Sequence, residues 1–271
     1  MDRLSLHPLT ALRSTPSEFL DIAGRLGCQT VSFFVHAGRS ACPHVDSLEQ
    51  ARDLRRQAKA LGIRICSLDV FSIGPDGLPD SFAHALDRGA ALGGERVTVT
   101  IGDPDLARAR DSFDDFCAMA GERDLAVHVE FHAFGTLNTL AATRDFLALA
   151  PTPATISADV LHFYRNEGGL ASLLGDHTGS IGHGQLCDGP LVLPRENWLD
   201  EAVTDRRLPG EGEFDLVAFL RALPPTVVID IEAPTLAHPG ASDFDMCDRA
   251  LSGARAVMAR AFDAEPREAG A

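Results

Sequence analysis

Short apolar runs rich in β-branched residues alternate along this chain with longer stretches in which apolar residues recur every three or four positions, and glycine or proline marks the joints. The short runs predict strands at Leu4–His7, Thr30–Val35, Ile63–Val70, Glu95–Ile101, Leu125–Phe131, Ala154–Val160, Ser180–Leu186 and Thr226–Glu232. The longer stretches predict helices starting near Thr15, Asp46, Asp80, Asp103, Thr139, Gly169, Glu213 and Ser242, several of them opened by a capping Ser, Thr or Asp. Each strand is thus followed by one helix. Eight such units, with no Gly-rich phosphate fingerprint after the first strand, predict an α/β protein built as one closed (β/α)8 barrel over residues 1–264, followed by a polar tail over 265–271. The one irregular stretch is the connection Cys187–Gly212 between the seventh strand and its helix. A long loop at that end of a barrel covers or completes a site.

Composition narrows the classes. The 271 residues, 45% hydrophobic and 23% charged, suffice for a sizeable core. With 24 Lys plus Arg against 39 Asp plus Glu, the net charge of -15 repels phosphate backbones and anionic headgroups, so neither nucleic acid nor a membrane is an expected partner. The six cysteines are scattered without CxxC spacing, which indicates neither a disulfide framework nor a thiolate metal site. No secretory leader pattern opens the chain and no long apolar run interrupts it, so a cytoplasmic location is expected. GxSxG, P-loop and HExxH motifs are all missing.

In a barrel of this kind, residues that do chemistry sit at the C-terminal ends of the strands. Glu130, Asp159, Gln185 and Glu232 end four successive predicted strands at intervals of roughly one βα repeat. Three carboxylates crowded together repel one another unless a cation lies between them, so the quartet is read as the ligand set of one divalent ion. All-oxygen donors favour Mn2+ or Mg2+, with Co2+ as a substitute. His7 and His36 end strands one and two and Asp69 lies near the end of strand three, a placement that lines the substrate cup; each His there is read either as a substrate contact or as a hydrogen-bonded structural group. His128 and His183 lie two residues below Glu130 and Gln185, one layer deeper on the same face. Asp188 and Glu211 are expected to fix loops. His44, His84, His177 and His238 belong to no pattern.

The Glu of strand five, the Asp159–His162 spacing in ADVLHFY, QLCDGP at Gln185–Pro190, RLPGEGEFD at Arg207–Asp215 and the Glu of strand eight together resemble the xylose isomerase-like barrels of the sugar phosphate isomerase and epimerase family. The resemblance spans the chain and is strongest from Val127 to Pro234. It implies that Glu130 and Glu232 serve as metal ligands and as acid and base, that His162 orients substrate or relays a proton, and that Arg206 or Arg207 contacts substrate oxygens. Many ketose epimerases of that family carry His where this chain has Gln185, whereas Gln followed three residues later by Asp resembles bacterial 3-dehydroshikimate dehydratases.

The expected reaction is proton abstraction beside a metal-bound carbonyl of a small keto-sugar or polyol, giving an enediolate. Returning the proton makes the enzyme an isomerase or epimerase. Expelling a β-hydroxyl makes it a dehydratase of a cyclic hydroxyketone such as 3-dehydroshikimate. The expected partner is therefore a small carbohydrate-like molecule, with a second copy of the chain as a further partner, since such barrels often pair.

Overall fold

The eight strands close in chain order into one parallel barrel, seen in a computed structural model that describes residues 3–37, 42–166, 169–174 and 179–263. They are β1 (Leu4–Leu6), β2 (Thr30–Phe34), β3 (Arg64–Ile73), β4 (Arg96–Ile101), β5 (Ala126–Glu130), β6 (Thr155–Asp159), β7 (Ile181–Leu186) and β8 (Ile229–Ile231). Pairing of β1 with β8 shuts the sheet. Around it run α1 (Pro16–Arg25), α2 (Leu48–Leu61), α3 (Ser81–Leu92), α4 (Leu106–Gly121), α5 (Leu140–Ala148), α6 (Val160–Tyr164), α7 (Ala171–Leu174), α8 (Trp198–Thr204), α9 (Leu216–Ala222) and α10 (Asp243–Phe262).

Local chemistry sets the helix starts. Thr15 and Glu18 form a reciprocal capping box with Pro16 in the first turn, and Ser242 with Asp245 does the same for α10. Asp105 rather than Asp103 caps α4, because its side chain accepts from the amides of Ala107 and Arg108. At two strand ends the bounds differ from expectation for the same reason. Asp159 both ends β6 and caps α6 by accepting from Leu161 N at 2.8 Å, so Val160 is helical. His7 caps a short 3-10 turn at Pro8–Thr10 and leaves β1 at Leu6. The strand expected from Thr226 begins only at Ile229. The tail expected at 265–271 and His177 lie outside the described residues.

Between sheet and helices lies an apolar shell in which Phe71, Phe82 and Phe116 meet edge to face or tilted, with centroids 5.0 to 6.0 Å apart. The barrel's interior is polar. Ser32 on β2 donates to Asp230 on β8 across β1, and Ser5 on β1 lies 3.2 Å from Cys66 on β3 across β2. Contacts that skip a strand can only pass through the lumen. His183 reaches Asp230 at 3.1 Å and stacks on His128, forming a floor below the strand ends. Burial opposes ionisation of Asp230, but the charge and hydrogen bond of His183, with His7 and Ser32, hold its pKa well below the usual carboxylate range.

The connection Cys187–Gly212 is more ordered than a loop, since it contains α8 and a 3-10 turn at Arg195–Asn197. Asp188 pins it: its carboxylate accepts from the amides of Gly189, Gly210 and Phe214 at 2.8 to 3.0 Å. Gly212 is required there, because a Cβ would fall 2.2 Å from Asp188 Oδ1. Among the described residues no helix is long and apolar enough to cross a membrane. Asp188→Ala leaves three amides without their acceptor and is expected to lower unfolding free energy by about 3 kcal/mol in urea titration; a loss within the noise would show that the carboxylate does not hold the connection.

Candidate active site at the mouth of the barrel

Strand alternation carries two layers of side chains up the lumen, and the upper one forms a cup at the C-terminal mouth. His7, Asp69, Glu130, Asp159, Gln185 and Glu232 all reach it, and all are buried. Because neighbouring strands are staggered, Asp159 is level with Gln185, whereas Glu130 is level with Ser157, two residues lower on β6.

That stagger divides the quartet. Glu130 faces two imidazoles, with His132 Nε2 at 3.3 Å and His162 Nε2 at 3.7 Å. Asp159 and Glu232 instead share one guanidinium: Arg206 Nη1 donates to Asp159 Oδ2 at 2.8 Å and Nη2 lies 3.1 Å from Glu232 Oε1. The Gln185 amide nitrogen donates to Glu232 Oε2, and its carbonyl oxygen accepts from Ser157 Oγ at 3.0 Å. The cation between the carboxylates of β6 and β8 is therefore a side chain of the chain itself.

The electrostatics follow from burial and these partners. Burial raises the pKa of Asp159, helped by the charge of Glu130 and opposed by Arg206. Burial also raises Glu232, with Arg206 and His7 opposing and Asp159 and Asp69 adding. Arg206 is desolvated, yet Asp159 and Glu232 hold it firmly protonated. Burial alone would lower His132, but the charge and hydrogen bond of Glu130 outweigh it and raise its pKa. His162 is driven well below its ordinary value by burial, then by the charges of His132 and Arg206, and is neutral. Burial would likewise lower His7, but the charge of Glu232, the Asp69 hydrogen bond at 2.6 Å and the charges of Asp69 and Asp230 push it up to about 9.

Other expected residues lie elsewhere. His36 places Nε2 2.9 Å from Val70 O and Nδ1 3.3 Å from Ala37 O, so both ring nitrogens face main-chain oxygens. Arg206 is buried in the cup, whereas Arg207 is exposed and contributes its backbone to a pairing with Asp188. The bonds of His128 and His183 go to Thr155 and Asp230 rather than to Glu130 or Gln185. Glu211 holds His238 and Arg249 on the surface. His132 is the residue that sequence reading missed; two positions beyond Glu130, it shares the inward face, and continuing the alternation past the strand end would have found it.

The donors fit a divalent ion. Glu130, His132 and His162 each offer a ligand atom, all within 4.8 Å of one another, and one carboxylate with two imidazoles is a borderline set. Arg206 engages one oxygen each of Asp159 and Glu232, while Leu161 N and the Gln185 amide take the other two; His162 Nε2 also lies 3.8 Å from Asp159 Oδ2.

A family model described as xylose isomerase-like TIM barrel matches residues 20–242. No curated protein matches. Among solved structures, a xylose isomerase-like TIM barrel/4-hydroxyphenylpyruvate dioxygenase fusion protein superposes with TM-score 0.77 at 19% identity over 96% of this chain; the chain spans 43% of that one. The IolI protein, solved with a zinc atom, gives 0.78 at 18% identity, covering 96% of this chain and 99% of that one. L-Ribulose 3-epimerase gives 0.72 at 14% identity with full coverage of both chains, 100% each. At these identities the likeness is one of fold.

The His7–Asp69 pair makes a pH prediction. A pKa raised from 6.5 to about 9 contributes stability that is fully present below pH 6.5 and lost as pH rises through 9. In metal-free protein, unfolding free energy is expected to fall by up to about 3 kcal/mol over that window. Asp69→Asn should shrink the fall; equal slopes in both proteins would show that Asp69 does not hold the His7 proton.

Proposed function

Because the chain belongs to the xylose isomerase-like TIM barrel family, we propose that it is an isomerase or epimerase of a small keto-sugar or related polyol, working by proton transfer at the carbon beside the carbonyl. The observation that supports this reading most is the state of Glu232. Its carboxyl is buried at the end of β8 with a raised proton affinity, and both oxygens are held in place, one by Arg206 and one by Gln185. A base tuned upward and fixed in direction suits abstraction of a weakly acidic C–H proton.

Imine chemistry is outside this chain's reach in the cup, since its single lysine, Lys59, is exposed on α2. The proton therefore goes to oxygen or imidazole. Glu232 takes it from carbon, the C–H pair moves into the carbonyl, and the growing oxygen charge is offset by Arg206 and protonated His7. Glu130, with His132 beside it, returns a proton to the opposite face or to the next carbon; the first outcome is epimerisation and the second aldose–ketose isomerisation. Neutral His162 accepts or donates a hydrogen bond at the substrate's hydroxyls.

Glu130, His132 and His162 would hold a divalent ion; Asp159, Gln185 and Glu232, proposed as further oxygen donors, would join it only by giving up their bonds to Arg206, Ser157 and one another. Such an ion supplies a Lewis acid that polarises the substrate carbonyl. The two imidazoles shift the suited metals from Mg2+ toward Zn2+, Co2+ or Mn2+. Dehydration of a cyclic hydroxyketone such as 3-dehydroshikimate shares the first proton transfer, and Gln185 is the residue that favours it.

Product analysis in D2O separates the two. Deuterium at the α carbon of recovered substrate and product, with no new ultraviolet chromophore, is the expected result; loss of water with a new enone or aromatic absorbance assigns the dehydratase instead. Chelation with EDTA is expected to abolish turnover and divalent metal to restore it, so full activity after chelation ends the metal reading. Glu232→Gln should lower kcat by about a thousandfold or more; a variant with near-normal kcat removes Glu232 from the mechanism.

A further inference from the structure

The chain after β6 and the connection after β7 share a second buried charge pair, which the chemistry of the cup does not use. Arg165, directly after α6, is 2% exposed, and Glu201 on α8 is 4% exposed. They meet as a fork: Arg165 Nε donates to Glu201 Oε2 and Nη2 to Oε1, both at 2.6 Å. Nη2 also donates to Pro190 O at 2.7 Å, and the guanidinium lies 5.2 Å from the centre of the Phe214 ring, itself stacked on Tyr164.

A buried ion pair adds little net stability, because desolvating two charges offsets most of their attraction; what it does supply is a defined geometry. The geometry at stake is that of α8. This helix has seven residues, and Leu199 and Val203 on it are 51% and 42% exposed, so packing alone holds it weakly. Glu201 is its anchor. The next residue, Ala202, accepts from Arg206 Nε at 2.8 Å. With Nε fixed there, the plane of the guanidinium is set, and its outer nitrogens fall on Asp159 at 2.8 Å and Glu232 at 3.1 Å.

We propose that the Arg165–Glu201 pair is the positioning device for Arg206: it locks α8 to the end of α6, and the Ala202 carbonyl of α8 then aims the Arg206 guanidinium at the two carboxylates. Because α6 also carries His162, the same clamp keeps the loop's cation in register with that imidazole. The geometry stands without the functional reading; only its consequence for proton transfer rests on that reading.

The test follows the Arg206 Nε–H proton by 15N NMR, assigned through its loss in Arg206→Met. Its solvent exchange is expected to be slow in the unaltered protein and at least about tenfold faster in Glu201→Gln and Arg165→Met, with partial recovery in Arg165→Lys. Phe219→Leu, a core change away from α8, lowers Tm and is expected to leave this proton protected. Unchanged exchange in both clamp variants overturns the proposal, since Asp159 and Glu232 would then hold Arg206 unaided. Calorimetric titration of EDTA-stripped protein with Mn2+ adds an independent readout. Arg206→Met removes a positive charge beside two carboxylates and is expected to tighten Mn2+ binding about tenfold or more. Glu201→Gln should tighten it less, and the double variant no more than Arg206→Met alone, as for residues acting through one another. Effects that multiply overturn the proposal. Absence of Mn2+ binding in every variant ends the metal reading of the cup, while the exchange measurement still decides the positioning role.

Discussion

One guanidinium shared by two carboxylates organises the mouth of this barrel. Asp159 and Glu232 end β6 and β8, both are buried, and without Arg206 between them their charges would face each other at low dielectric. Removing one member of such a buried group leaves an uncompensated charge, at a cost of about 3–5 kcal/mol. Arg206 comes from the connection after β7, so the carboxylates at the strand ends hold that connection down as firmly as it neutralises them. Asp188 secures its two ends and the Arg165–Glu201 fork its middle.

The same logic extends down the lumen. A barrel interior is ordinarily filled with branched apolar side chains, but here Ser5, Ser32, Cys66, His183 and Asp230 occupy it in one bonded layer. Each of these side chains has a cross-strand partner, although His183 Nδ1 is buried without one. Asp230 stays ionised at the floor while Glu232, two residues above it, is shifted the other way. Two carboxyls on one strand thus take opposite characters through their neighbours alone, the arrangement a proton-transferring site needs.

The proposed proton transfer draws support from family membership and from this division of charge, which are separate kinds of observation. The family match concerns the fold over residues 20–242; the cup adds an acid–base inventory of its own. Glu130 is flanked by a raised His132 and a neutral His162, while Glu232 is flanked by Arg206 and by cationic His7. In the proposed reaction, acid and base come from separate walls of one cup.

The sequence by itself determined the architecture and the levels at which its polar residues lie. Alternation along each strand is a local property, so Glu130, Asp159, Gln185 and Glu232 could be placed on the inner face, and His128 and His183 beneath two of them, from spacing alone. Helix caps such as Thr15 and Ser242 were legible for the same reason. The tertiary structure decided the pairings. Whether Glu232 meets an ion, a glutamine or an arginine depends on the stagger between strands and on where a connection of about twenty-five residues lays Arg206, and neither is written in any local window. The burial of Glu201 and the turn of Arg207 to solvent beside buried Arg206 were hidden likewise. Periodicity tells which face a side chain occupies; only the closed barrel, by bringing distant segments within a few ångströms, tells which charge it faces.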